Sequence, residues 1–133
     1  MKKTYKNLLG DNFTIEFKEH DISNYDVLFH VALKEKRKSI EENGLLINQP
    51  TYKSLVKTDL LFFSYPIDMN TSDCFRWNDD YHSLVILDAK TLKEDGYIFY
   101  DDYFGSEDLS SKRNHLCIDK DIPVKYIKKI VEF

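Results

Sequence analysis

Glycine, proline and cysteine are all scarce in this sequence, and each scarcity excludes something. The 133 residues include four glycines, three prolines and two cysteines. Two cysteines, Cys74 and Cys117, are too few for a disulfide scaffold or a zinc cage. Four dispersed glycines do not form a glycine-rich phosphate loop. We therefore expect a protein of a reducing compartment, with no metal site.

Long hydrophobic runs are also missing. The longest apolar runs, residues 60–63 and 84–87, are only four residues each, which is far too short to span a bilayer. The first six residues are basic but lead into no apolar stretch, so we expect no export signal. These features predict a cytoplasmic protein that does not contact a membrane.

The composition is that of a globular protein, with 42% hydrophobic and 32% charged residues. Its length fits one domain, residues 1–133. The net charge is −4. The segment from Asp88 to Asp108 has seven acids and two lysines, hence −5, so the rest of the chain sums to +1. This balance disfavours duplex nucleic acid as the main partner.

Hydrophobic patterns give seven candidate strand segments, from which we expect about six strands, and one or two helices. The candidate strand segments are residues 13–17, 27–31, 60–65, 84–87, 97–100, 116–118 and 127–133. A helix is predicted over residues 34–43, because Gly44 follows it and glycine tolerates the left-handed backbone that ends a helix. Since strands and helices do not alternate regularly, the predicted class is α+β with a largely antiparallel or mixed sheet.

The order of these segments carries a family resemblance. A strand ends in His30, a helix closes on an Ile-x-x-x-Gly-Leu pattern at residues 40–45, and a hydrophobic strand ends on Ser64 and Tyr65. A late strand starting at His115 leads into an Ile-Pro-x-x-x-Ile pattern at residues 122–127. In this order the sequence resembles the ADP-ribosyltransferase superfamily. The most similar members are small bacterial and phage proteins, which include DNA-modifying toxins and RNA 2′-phosphotransferases. The resemblance covers residues 27–133 as the core, with residues 1–26 as an N-terminal extension.

The resemblance implies a bent, split pair of small sheets, with NAD bound as a substrate in the cleft between them. His30 would then hydrogen-bond the ADP-side ribose, and Ser64 and Tyr65 would lie where an aromatic ring stacks on the nicotinamide. Arg76 and Trp77 belong to an aromatic–cation cluster that is suited to stacking on such a ring. The simpler interpretations are a core histidine at position 30, strand-capping hydroxyls at 64 and 65, and a hydrophobic helix face around Trp77.

The sequence departs from the family at its catalytic acid. The family has a glutamate at the start of the late strand, where a carboxylate stabilises the oxocarbenium-like state of glycosidic cleavage. This chain has His115 at that position. Either Glu107 or Asp108, on the preceding segment, supplies the carboxylate, or the activity is altered or absent. A phosphate site of the phosphotransferase type is an alternative use of four basic residues, His30, Arg76, Arg113 and His115.

Two main hypotheses follow from these residues. The first is an NAD-dependent ADP-ribosyltransferase that modifies a nucleic acid base or a protein side chain, as a toxin or in phage defence or counter-defence. The second is a catalytically degenerate relative that binds a nucleotide or a protein partner as an inhibitor. Five aromatic residues and two acids at positions 97–104 suit a surface for a basic protein partner, or a loop folded over the cleft. An unrelated α+β domain is a third interpretation.

Overall fold

The computed structural model describes residues 1–49, 59–65, 82–101 and 115–132. These residues form two short α-helices, α1 (Arg37–Asn43) and α2 (Ala89–Glu94), and two 3-10 turns, Lys34–Lys36 and Val124–Tyr126. The strands are β1 (Lys2–Lys6), β2 (Asn12–Glu16), β3 (Glu19–His20), β4 (Val27–Leu33), β5 (Leu61–Ser64), β6 (His82–Asp88), β7 (Phe99–Asp101), β8 (His115–Ile118) and β9 (Ile127–Glu132). The α+β class predicted from the sequence is confirmed.

The strands form two sheets. β1 and β2 pair as a separate antiparallel ribbon, and the other strands form a seven-stranded sheet in the order β3-β7-β8-β5-β4-β6-β9. Every strand pair in both sheets is antiparallel. The prediction of a largely antiparallel arrangement is therefore confirmed for the described strands.

The large sheet is almost divided in the middle. Among the described residues, β4 and β6 share seven register pairs, whereas β4 and β5 share one, Phe29 with Ser64. The sheet therefore consists of a four-stranded part, β3-β7-β8-β5, and a three-stranded part, β4-β6-β9. One register pair constrains the twist between adjacent strands far less than seven do.

The main core lies on the face of the sheet that the helices cover, which we call the core face. Alternation along β4 places Leu28, His30 and Ala32 on this face. Ile40 of α1 and Leu92 of α2 belong to the same buried cluster as Leu28 and Ala32. The opposite face, which we call the second face, carries smaller apolar clusters.

The N-terminal extension has two structural roles. Tyr5 and Ile15 of the β1–β2 ribbon pack with Phe62 and Cys117, which belong to the second face. Further along the extension, β3 adds to the edge of the large sheet beside β7. Ile22 follows β3 and is almost fully buried in the main core. Residues 1–26 therefore cover part of the second face and also extend the sheet.

The described residues form more strands than the sequence analysis predicted. The helix over residues 34–43 is confirmed, with a 3-10 turn as its first three residues and Gly44 at its end with a φ of 76°. The sequence analysis gave no range for helix α2, which follows β6 directly. Asp88 caps this helix, because its carboxylate accepts hydrogen bonds from the backbone N–H of Thr91 at 3.2 Å and the hydroxyl of Thr91 at 2.9 Å.

Candidate functional site

The three strands that carry the family resemblance are neighbours in the sheet. Ser64 ends β5 and His115 begins β8, as the sequence indicates. The prediction that the first of these strands ends in His30 is wrong, because β4 continues to Leu33 and His30 lies in its middle. Phe29 is the register partner of Ser64, and Ser64 is in turn the register partner of His115. The fold thus brings three segments that are far apart in the sequence into one row across β4, β5 and β8.

His30 is buried and held by the backbone. Only 6% of it is exposed, its Nδ1 lies 2.6 Å from the carbonyl oxygen of Phe62, and its ring centroid is 5.4 Å from that of Phe63. Because a carbonyl oxygen can only accept, Nδ1 carries the proton. Burial lowers the pKa of His30 to about 4, against the smaller, opposite effect of this hydrogen bond. The imidazole is therefore neutral at pH 7, with Nε2 as an acceptor.

The side chains of the candidate residues do not share one face. Ser64 and His115 are register partners and lie on the second face with Phe62, by strand alternation. Tyr65 packs against the main core, on the side of His30. What most of these residues share is their position along the strands. Ser64 and Tyr65 lie at the end of β5 and His115 lies at the start of β8, whereas His30 does not lie at a strand end.

We call this place the β5 corner: Ser64 and Tyr65 at the end of β5, His115 at the start of β8 and Asp101 at the end of β7. Asp101 is the register partner of Leu116, the residue that follows His115. The side chain of Asp101 is 40% exposed. The β5 corner therefore includes a carboxylate with access to solvent.

A hydrogen-bonded group of side chains lies at the β5 corner. The Nδ1 of His20 is 2.7 Å from Oδ1 of Asp101, and its Nε2 is 3.0 Å from the hydroxyl of Tyr25. The rings of Tyr25 and Tyr65 stack at 4.6 Å with 16° between their planes. Burial, and then the neighbouring Tyr65, raise the pKa of Tyr25 to about 12. We call His20, Tyr25, Tyr65 and Asp101 the corner cluster.

Sequence analysis did not find the corner cluster. His20 and Tyr25 belong to the N-terminal extension, outside the segment that carries the family resemblance. His20 meets Asp101 only because β3 pairs with β7, with His20 opposite Phe99. Nothing in the local sequence around His20 signals that pairing, because β3 is only two residues long.

A cavity of about 340 Å³ lies beside helix α1. Its lining combines polar and aliphatic residues: Lys36, Ser39, Ile40, Gly44, Leu46, Asn48 and Gln49. None of the site residues predicted from the sequence lines it. The cavity is nevertheless close to His30 along the chain, because the 3-10 turn and α1 follow directly from β4.

Several predicted site residues lie outside the described residues: Glu107, Asp108, Arg76, Trp77 and Arg113. Their roles stay predictions. The aromatic segment at positions 97–104 is described as far as Asp101. Within it, Phe99 is buried in the main core, and Tyr97 and Tyr100 pack against apolar clusters.

Other kinds of site have little support in the described part of the chain. Among residues 1–49, 59–65, 82–101 and 115–132, no three His, Cys, Asp or Glu side chains are grouped so that they could hold a metal ion. The helices in those same ranges are too short and too polar to cross a membrane. Cys117 is fully buried.

The chain was also compared with known proteins. It matches no protein-family model, and none of the curated proteins matches it at a significant level. A functional assignment therefore depends on the residues and on the arrangement of the strands.

Proposed function

We propose that this protein is an NAD-dependent ADP-ribosyltransferase that modifies a nucleic acid base or a protein side chain. The observation that carries the proposal is the row formed by Phe29, Ser64 and His115 on β4, β5 and β8. In the superfamily that the sequence resembles, the strands in these three positions contribute to one NAD site. Here they are consecutive neighbours even though β6 and β7 separate β5 from β8 along the chain. The near-division of the sheet between β4 and β5 also agrees with the split pair of sheets that the resemblance implies.

The protonation state of His30 suits a hydrogen bond from a ribose hydroxyl. Its Nδ1–H is fixed on the carbonyl of Phe62, so the tautomer is set and Nε2 accepts hydrogen bonds. A hydroxyl donates to such an acceptor readily. Because the pKa of His30 is lowered by burial, this acceptor persists through neutral pH.

The cavity beside α1 is where we place the ADP half of NAD. The ammonium group of Lys36 would pair with the diphosphate. The side-chain amides of Asn48 and Gln49 offer both donors and acceptors to an adenine ring, and Ile40 and Leu46 offer apolar contacts. In this proposed arrangement the ADP-side ribose would lie towards His30 and the nicotinamide half at the β5 corner, beside Tyr65.

The transfer reaction would need little from the protein beyond charge and position. The bond between C1′ of the ribose and the nicotinamide nitrogen breaks, and its electron pair leaves with nicotinamide. The acceptor forms a new bond to C1′ and loses its proton to water. Between the cleavage of the old bond and the formation of the new one, positive charge develops on the ribose. A nearby carboxylate therefore stabilises the transition state more than it stabilises the bound substrate.

A second candidate function has its own supporting observation. His115 stands at the position of the family's glutamate and is paired with Ser64, and an imidazole does not supply a fixed negative charge. On this hypothesis the protein is a degenerate relative that binds a nucleotide, or acts as an inhibitor of a protein partner, in toxin or phage–host conflict. NAD binding without release of nicotinamide would identify it.

The proposal is tested by calorimetry of NAD binding, by release of nicotinamide, and by incubation of the protein with labelled NAD and bacterial lysate. His30→Ala should raise the Kd for NAD by about 5- to 150-fold, which corresponds to the loss of about 1–3 kcal/mol from an unpaired buried group. Ser83→Ala is the matched control, since Ser83 is also buried on the three-stranded part of the sheet. If the wild-type protein does not bind NAD, the transferase proposal is wrong, and only the degenerate-relative and phosphate-site hypotheses remain.

A further inference from the structure

We propose that Asp101 supplies the carboxylate that the late strand lacks, and that it contacts the nicotinamide-side ribose. This inference rests on the proposed function. Asp101 is an alternative to Glu107 and Asp108, the two acids that the sequence analysis names for this role. A carboxylate at this position would explain how a transferase could function with an imidazole at position 115.

Asp101 lies on the strand next to β8, where the family has its catalytic glutamate. It ends β7 opposite Leu116, so it lies one strand from the start of β8. Strand alternation places Asp101 on the same face as Phe99 and Tyr65. A ligand that stacks against Tyr65 at the β5 corner would therefore meet this carboxylate.

A hydrogen bond from His20 holds the carboxylate of Asp101 in place. Its Oδ1 accepts from Nδ1 of His20 at 2.7 Å. His20 is in turn held by the hydroxyl of Tyr25 at 3.0 Å and lies 5.1 Å from the ring of Tyr65. A carboxylate fixed in this way does not have to reorganise when charge develops near it, which is the property that makes electrostatic catalysis effective.

Another acid close to Tyr25 is engaged elsewhere. The carboxylate of Asp21 accepts from the hydroxyl and backbone N–H of Ser23 and pairs with Lys93 at 3.3 Å. Its side chain is 69% exposed, and these partners, Ser23 and Lys93, lie outside the corner cluster. Of these two acids, only Asp101 belongs to the corner cluster.

Asp101→Asn tests the inference in the full-length protein. The substitution keeps the shape of the side chain and removes its charge. We expect release of nicotinamide from NAD to fall by about 10²–10³-fold, while the Kd for NAD changes by less than about threefold, because the contact matters mainly in the transition state. Glu94→Gln is the control, since it removes one exposed acid from the same acidic segment.

The outcomes separate this inference from the proposed function. If wild type neither binds NAD nor releases nicotinamide, the proposed function is wrong and this inference is wrong with it. If wild type is active and folded Asp101→Asn is equally active, the role of Asp101 is wrong while the proposed function stands. A parallel loss of NAD affinity and activity in a folded Asp101→Asn would also contradict the inference, since it would indicate a purely structural role.

If Asp101→Asn does not fold, Asp101→Glu tests the same inference. Asp101→Glu keeps the charge and displaces the carboxylate by about one carbon–carbon bond. A group that acts at the reacting carbon is sensitive to a shift of about 1 Å, so we expect at least about a tenfold change in nicotinamide release at unchanged NAD affinity. An unchanged rate in folded Asp101→Glu would overturn the inference.

Discussion

The imidazole of His30 donates a hydrogen bond from Nδ1 to the carbonyl oxygen of Phe62 and thereby links β4 to β5. Within the part of the chain that the structure describes, these two strands have one register pair, Phe29 with Ser64. The histidine side chain therefore adds a contact at the junction between the three-stranded and four-stranded parts of the sheet. The residue that we assign to NAD binding also contributes to the fold, and its two roles need separate tests.

The first prediction concerns the pH dependence of stability. The pKa of His30 is lowered from 6.5 to about 4, mainly by burial. Between these values the unfolded chain binds a proton that the folded protein excludes, so acid favours unfolding. The contribution is fully present above about pH 6.5 and is lost as the pH falls towards about 4. We expect this group to lower the free energy of unfolding by up to about 3 kcal/mol over that range, measured by urea denaturation at several pH values.

The control for this prediction is His30→Gln. Glutamine can donate a hydrogen bond to the carbonyl of Phe62 but does not titrate. The carboxylates that also affect acid stability stay in place in both proteins, so the difference between the two curves isolates His30. Identical slopes between neutral pH and pH 4 in wild type and His30→Gln would contradict the prediction.

The second prediction concerns Gly44 at the end of α1. Its φ of 76° and ψ of −160° are close to the backbone region that is almost restricted to glycine. A Cβ at this position would lie 2.2 Å from the carbonyl oxygen of Ile122, which is itself bonded to the N–H of Leu45. We expect Gly44→Ala to lower the free energy of unfolding by about 3 kcal/mol or more, because backbone strain and a backbone clash combine.

Gly96→Ala is the matched control for that substitution. Gly96 also has a positive φ, of 87°, but no atom of the described residues lies within 4 Å of the position that its Cβ would occupy. Strain alone should then lower the free energy of unfolding by about 1 kcal/mol. Equal effects of the two substitutions in urea denaturation would show that the approach of Ile122 to Gly44 is not tight.

The third prediction concerns the hydroxyl of Ser83. This residue is fully buried in β6, opposite Ala32 of β4, and within the described ranges its Oγ has no hydrogen-bond partner. A buried, unsatisfied hydroxyl destabilises a protein, so its removal is favourable. We expect Ser83→Ala to raise the free energy of unfolding by about 1 kcal/mol and to raise the Tm. A loss of stability would mean that the hydroxyl has a partner.

Several strands and the end of α1 could be predicted from local sequence, whereas β1, β3, α2 and the strand neighbours were not predicted. The glycine at position 44 is a local signal, and α1 ends where it indicates. The apolar run before His30 marks β4, but the strand continues past His30 to Leu33. The contact between His20 and Asp101 joins residues 81 positions apart. It depends on which strand pairs with β7 and in which register, and a two-residue strand carries no periodicity that could show it. The corner cluster was therefore beyond local sequence analysis.

The fourth prediction concerns His115, the register partner of Ser64. They are opposite each other in β5 and β8, and directly opposed side chains on one face of an antiparallel pair are within contact distance. If the family resemblance is right, a carboxylate at position 115 would lie where the superfamily has its glutamate. The hydroxyl of Ser64 could then donate a hydrogen bond to it.

Ser64 and His115 both lie on the second face, whereas the ribose that we place beside Asp101 and Tyr65 lies on the core face. We therefore expect His115→Glu to change the release of nicotinamide from NAD by less than about threefold, because the sheet separates the new carboxylate from the positive charge that develops on the sugar. Asn12→Glu is the control, since it adds the same charge on the exposed face of the β1–β2 ribbon and should leave the rate unchanged. A silent wild type with an active His115→Glu would favour the degenerate-relative hypothesis. An increase of about tenfold or more in His115→Glu, with no increase in Asn12→Glu, would place the reacting sugar at the start of β8 and would contradict the role of Asp101.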